Sequence, residues 1–189
     1  MDRFEIRLCG FGGQGVALAG KILGAAVSIY EEKNSVTTQS YGPESRGGAS
    51  SCNVVMSDKE IDFPYLTDPD IFICLSKEAY FKHIDSLKEN GILFYEEDLV
   101  PVDDRIEKAK HVFKLPATNI AEQELGKRIV ANIVMLGFFA AINEQISSDS
   151  ILKSVLRYVP KKYQELNKRA FKIGMRYGEE EKQHLEAKK

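Results

Sequence analysis

Cysteine is scarce in this chain and never clustered: Cys9, Cys52 and Cys74 are the three present in 189 residues. No C-x-x-C pair exists, so no zinc or iron–sulfur centre held by this chain alone is expected. Each cysteine lies in or beside a segment that reads as strand, where a thiol serves as a small buried hydrophobe. Histidine is as sparse. His83 is placed on the solvated face of a helix, His111 at the start of a strand and His184 in the tail, and none has a triad-like companion. Serines are plentiful, but none sits in a G-x-S-x-G elbow. No catalytic residue is nominated. The longest apolar run, near Ile133 to Ile142, is broken by Gly137 and suits a buried helix rather than a membrane span. A formal net charge of −2 argues against a nucleic-acid binder driven by phosphate neutralisation. Met1-Asp2-Arg3-Phe4 enters the first strand without a basic-then-apolar leader, which sets a cytoplasmic expectation.

What is present is a glycine-rich turn near the N-terminus, Cys9-Gly10-Phe11-Gly12-Gly13-Gln14-Gly15-Val16. Before it, Phe4 to Leu8 alternates like a strand; after it, Val16 to about Ile29 has helical spacing, with Val16, Gly20, Leu23 and Val27 on one face. A strand–loop–helix unit follows. Its glycines, free to take positive φ, would bring backbone N–H groups close to an anion at the helix start. The spacing Gly10-x-Gly12-x-x-Gly15 also matches the dinucleotide fingerprint, which requires an acidic residue at the end of the second strand. That strand ends Thr38-Gln39-Ser40, and the nearest carboxylate, Glu44, lies inside a Pro/Gly loop. A free-standing NAD- or FAD-binding protein is therefore the lesser reading.

Further strands are predicted at Asn34–Gln39, Ala49–Met56, Ile71–Leu75, Ile92–Tyr95 and His111–Leu115. Helices are predicted at about Lys77–Lys88, from Asn119 (with Glu122, a capping box), over Arg128–Ile142, from a cap at Asp149 to Tyr158, and over Tyr163–Met175 before Gly178. The alternation implies an α/β three-layer sandwich: a Rossmann-like, largely parallel sheet with helices on both faces and a helical C-terminal part. Residues 1–178 read as one domain and 179–189 as a charged, flexible tail.

A second loop, Tyr41-Gly42-Pro43-Glu44-Ser45-Arg46-Gly47-Gly48, follows the second strand. Arg46 before two glycines suits bidentate binding of a phosphate or carboxylate; the plainer alternative is an Arg46–Glu44 pair that only shapes the loop. Loops after the first and second strands share the carboxyl edge of a parallel sheet, where such folds bind ligands. Two ligand-facing loops without a catalytic constellation point to a subunit that assists chemistry carried elsewhere.

Together these loops resemble the gamma subunit of the 2-oxoacid:ferredoxin oxidoreductases. The resemblance continues through Ser57-Asp58, Ile61-Asp62-Phe63-Pro64, Asp70, Leu115-Pro116-Ala117-Thr118, Ala131-Asn132 with Leu136-Gly137, and Leu166-Asn167-Lys168-Arg169-Ala170-Phe171. It implies a heteromeric enzyme with alpha, beta and ferredoxin-like delta subunits. Such an enzyme uses thiamine diphosphate and iron–sulfur clusters to decarboxylate a 2-oxoacid oxidatively, with coenzyme A as acyl acceptor and ferredoxin or flavodoxin as electron acceptor. The gamma chain itself holds neither thiamine nor cluster. The second loop looks most like enzymes for 2-oxoglutarate, which form succinyl-CoA; pyruvate and branched-chain enzymes share the framework, and a purely structural assembly subunit is a further alternative. The binding residues it implies are Gly12, Gly13, Gln14, Gly15, Tyr41, Glu44, Arg46, Gly47 and Gly48. Gln14 and Arg46 are expected to bind anionic or polar groups of coenzyme A, and Glu44 to orient Arg46. One departure is Met56, where family members often carry a basic residue.

Overall fold

A computed structural model describes residues 2–41 and 48–187. Six strands form one sheet: β1 (Phe4–Phe11), β2 (Asn34–Tyr41), β3 (Ala49–Ser57), β4 (Ile71–Cys74), β5 (Ile92–Glu96) and β6 (His111–Leu115), in the order β2-β3-β1-β4-β5-β6. From β1 onward the pairings with β4, β5 and β6 are parallel. β3 pairs antiparallel with both β1 and β2. The expected parallel sheet is thus extended by an antiparallel strand inserted between β1 and β2. Because β3 reverses twice, β2 still runs in the direction of β1, and the ends of both lie on one sheet edge with the start of β3.

The period of two decides which side chains face which layer. Ile6, Leu8, Cys52, Val54, Met56, Ile71, Ile73, Phe94 and Phe113 join one core. Cys9, Phe72, Cys74, Leu93 and Tyr95 join the core on the opposite face. β4 is buried along its whole length, as a continuously apolar strand between two layers must be. The larger core receives α1 (Val16–Ala25, continued as a π turn over Ala26–Tyr30), α3 (Ala117–Leu125), α4 (Ala131–Ile142), α5 (Ser148–Tyr158) and α6 (Gln164–Glu186). The smaller is covered by α2 (Lys77–His83) and the 3-10 turns Ile84–Ser86 and Asp104–Lys108. Phe94 of β5 meets the rings of Phe113, Phe139 and Phe138 at 5.0, 5.4 and 6.0 Å, which ties the sheet to α4.

The helical part departs from expectation at α3, α5 and α6, and at the start of α4. α3 starts two residues before Asn119, with Pro116 at its N-cap and no side-chain cap of its own. A carboxylate from β5 serves instead: Glu96 Oε2 accepts from Thr118 N at 2.9 Å and Thr118 Oγ1 at 3.0 Å. Ser147, not Asp149, caps α5, accepting from Ser150 N at 3.1 Å. α6 does not stop before Gly178; it runs 23 residues to Glu186. Gly178, read in sequence as a terminator, is a packing residue. A Cβ there would stand 2.7 Å from Phe138 O, and Cβ atoms on Gly174 and Gly137 would fall onto Val134 O and Phe171 O. α4 and α6 therefore meet backbone to backbone along a glycine seam.

Candidate functional site

The chain changes sides of the sheet between β1 and its parallel neighbour β4. The loop after β1 leads to α1 on the larger-core face, and the loop after β4 leads to α2 on the other. Adjacent loops that part in opposite directions open a crevice at the carboxyl ends of the strands, where open α/β sheets hold ligands. The glycine loop forms its ridge.

Of its glycines, Gly13 and Gly15 take positive φ, at 100° and 74°. Gly15 is the N-cap of α1, which has neither a side-chain cap nor an acidic residue in its first turn. A larger residue at Gly15 would also strike the Asn132 amide, whose Nδ2 donates to Gly15 O at 3.3 Å. Gln14 pins the turn from inside. Its Oε1 accepts from Phe11 N at 2.6 Å, and its Nε2 donates to Leu75 O at 2.9 Å, just beyond β4. Each amide atom keeps one further hydrogen-bonding valence.

The two loops singled out in sequence do meet. Gly12 N donates to Gly48 O at 3.1 Å, and the backbone of Tyr41 ends β2 opposite Ser50 on the same edge. Glu44, Arg46 and Gly47 lie outside the described residues. The inserted β3 also bears on the dinucleotide reading. The second strand of a dinucleotide-binding unit lies beside the first, whereas here β2 is one strand removed and ends without a carboxylate.

Two hollows flank the ridge. One, of about 420 Å³, lies between Phe11–Gln14 and Ser76–Glu78. The other, of about 320 Å³, lies between Gly13–Gln14 and the polar side chains of Glu96, Thr118, Arg128 and Asn132. Leu99 borders both, and Ile129, 78 % exposed, stands over the second. Sequence periodicity puts Ile129 on the buried face of α4; it lies instead in the 3-10 turn Arg128–Val130 that precedes the helix. Glu96, Arg128 and Asn132 carry no predicted role. Thr118 and Asn132 stand within the quoted motifs Leu115-Pro116-Ala117-Thr118 and Ala131-Asn132, which was the available signal. Glu96 had none, since a charged residue at a strand end normally reads as solvated.

Glu96 is 1 % exposed, and burial raises its carboxyl pKa against the downward pull of the Thr118 bonds. His83 is half-buried rather than solvated, and burial, with the Arg7 and Lys82 charges, pushes its pKa down to about 4. The three thiols are buried; desolvation lifts Cys52 and Cys74 to about 12 and Cys9 well above its ordinary value. No group of three metal-ligating side chains occurs among the described residues. Nor is any helix among them long and apolar enough to cross a membrane.

A mostly parallel sheet with a crevice at a glycine-rich ridge defines a Rossmann-like α/β protein, and comparison with known proteins narrows the class. Residues 5–177 match the family model for pyruvate ferredoxin/flavodoxin oxidoreductase, and the chain belongs to this family, as a gamma-type subunit. It is 49 % identical over 178 residues to the 2-oxoglutarate synthase subunit KorC of Methanocaldococcus jannaschii, covering 94 % of this chain and 95 % of that one. Among solved structures it is similar to the gamma subunit of a keto/oxoacid ferredoxin oxidoreductase from Geobacter sulfurreducens. The TM-score is 0.82 at 40 % identity, covering 92 % of this chain and 95 % of that one. The fold also recurs, at a TM-score of 0.81 and 24 % identity over 94 % of this chain, in 31 % of a chain of the Magnetococcus marinus 2-oxoglutarate:ferredoxin oxidoreductase. That structure was solved with 2-oxoglutarate, coenzyme A and succinyl-CoA bound.

Proposed function

We propose that this chain is the gamma subunit of a heteromeric 2-oxoglutarate:ferredoxin (or flavodoxin) oxidoreductase. In it, the Gly12–Gly15 and Arg46–Gly48 loops form one wall of the site where coenzyme A meets the reacting acyl group. The observation that carries this reading is the junction of the two loops through Gly12 and Gly48 at the carboxyl edge, in a chain that matches its family over almost its full length. Thiamine diphosphate, when bound by the partner subunits, supplies the decarboxylation chemistry; iron–sulfur clusters there carry the electrons. This chain's part is to position. The α1 N-terminus and the Arg46 guanidinium suit phosphate oxygens, Glu44 orients Arg46, and Tyr41 and Gly47–Gly48 shape the approach. Holding a coenzyme thiol at its reaction partner is worth several kcal/mol through proximity alone, on the order of the effective-molarity effect. The 49 % identity to a 2-oxoglutarate synthase subunit favours 2-oxoglutarate over pyruvate or a branched-chain 2-oxoacid.

Affinity isolation of the chain from its native cell tests the assembly. A thiamine-binding subunit, a second large subunit and a small ferredoxin-like one are expected with it, in a complex that oxidises 2-oxoglutarate in preference to pyruvate. Recovery of the chain alone with full activity would overturn the reading, and preference for pyruvate would move it to the alternative substrate. Arg46→Ala in the assembled enzyme should raise KM for coenzyme A about tenfold, the loss of one charge-assisted hydrogen bond. An unchanged constant in an intact complex would leave the loop a purely structural role.

A further inference from the structure

The hollow between the glycine ridge and α3 contains an unexplained group. Glu96 lines it, and of its two carboxyl oxygens only Oε2 is used, by Thr118. Oε1 is fully buried and has no hydrogen-bond partner. The Asp98 backbone N–H is near enough to the carboxyl to pull its pKa down as a hydrogen-bond donor does, yet it falls short of a full hydrogen bond to Oε1. A buried carboxylate oxygen left in this state costs on the order of 1–3 kcal/mol or more, so its retention at a ligand edge calls for an external donor.

The walls restrict what that donor is. Arg128 stands at the rim and disfavours a cation; a lone carboxylate disfavours a bare anion. The Gln14 and Asn132 amides and the Thr118 hydroxyl offer neutral hydrogen bonding, while Leu99 and Ile129 supply apolar cover. An aliphatic chain bearing secondary amides suits both features. At about 320 Å³ the hollow is at the lower end of ligand-site sizes, room for such a chain and not for a whole nucleotide coenzyme.

We propose that Glu96 is a positioning residue for coenzyme A: the hollow takes the amide-bearing pantetheine arm, with Glu96 Oε1 accepting a hydrogen bond from an amide N–H. This rests on the reading that coenzyme A meets this edge. It adds a second point of hold, separate from the phosphate-binding loops, that fixes how far the thiol extends.

Glu96→Gln is the discriminating substitution. It keeps an acceptor for Thr118 and replaces the free acceptor by a donor. In the assembled enzyme it should raise KM for coenzyme A about tenfold, equivalent to 1.4 kcal/mol. The values of kcat and of KM for 2-oxoglutarate should stay within about twofold of the parent enzyme. Inhibition by adenosine 3′,5′-bisphosphate, which lacks the arm, should be unaltered. An unchanged KM for coenzyme A overturns the proposal, as does loss of the partner subunits, which would show that a protein segment fills the hollow. If Arg46→Ala raises that KM and Glu96→Gln does not, the coenzyme reading stands and the Glu96 assignment falls; if neither does, both fall. Should the variant not fold, amide hydrogen exchange at Thr118 in the parent complex decides. Slower exchange with coenzyme A, and not with the bisphosphate, supports the proposal; no difference overturns it.

Discussion

Gln14, expected from the sequence to bind a ligand, is engaged in the structure by the loop that carries it. Its amide spans from Phe11 N to Leu75 O, so the ridge between the two hollows is tied to the strand on its far side. The glycines divide their work similarly: Gly13 and Gly15 meet a left-handed backbone demand, whereas Gly10 lies within β1 and Gly12 reaches the second loop. Glu96, invisible as a functional residue in the sequence, becomes notable only because the fold buries it. His83 offers a residue-scale test with a defined sign. Its folded pKa of about 4 lies below the ordinary 6.5, so between these values the unfolded chain binds the extra proton. Stability contributed by neutral His83 is therefore complete above pH 6.5 and is lost as the pH falls toward 4. Denaturant titrations across this window should show a shallower pH slope for His83→Gln than for the parent. An equal slope would mean that the ring titrates normally, which an NMR titration of its protons would confirm.

At the scale of elements, the strands were the most legible part. Alternation in Ala49–Met56 and the unbroken apolar run Ile71–Leu75 located β3 and β4 because burial on one or two faces writes itself directly into local pattern. Helix ends were less legible, because several candidate caps stood close together and only packing selects among them. Ser147 and Asp149 compete for α5, and the structure gives the cap to Ser147, with Asp149 paired instead to Lys153 one turn on. Ser147→Ala should accordingly cost about 1 kcal/mol in urea unfolding, while Asp149→Ala should leave the midpoint almost unmoved. A larger loss for Asp149 would restore the sequence-based cap. For α3 the competition was decided from outside the helix. The Asn119/Glu122 pattern is bypassed because Glu96 of β5 already occupies the N-terminal donor of Thr118.

Across the whole molecule, the sheet supplies the edge that bears the two hollows and the helical part holds the sheet in place through α4. That helix is buried on nearly all sides and seated between the aromatic cluster of β5 and β6 and the glycine seam of α6. Because the seam brings backbone against backbone, it has no slack. Gly174→Ala forces its methyl group onto Val134 O and should destabilise the folded chain by about 3 kcal/mol, the upper range of overpacking. Equilibrium denaturation measures this, and a loss under about 1 kcal/mol, no more than ordinary surface change, would show that the helices can slide apart. Phe11, Leu99 and Ile129, all large apolar residues left exposed, cluster around the same edge as the two hollows, as a chain that works within a larger assembly requires.

The amino-acid sequence by itself determined the α/β class, the strand positions, the glycine turn and the likeness to gamma subunits. These follow from short-range periodicity, turn chemistry and motif order, which need no knowledge of distant partners. Tertiary structure alone decided that β3 enters between β1 and β2, that α6 passes through Gly178, and that Glu96 is buried at the hollow with one oxygen on Thr118 and the other unused. Each depends on a pairing or a close approach between segments far apart in the chain, where many partners satisfy the same local pattern and only the packed whole selects one.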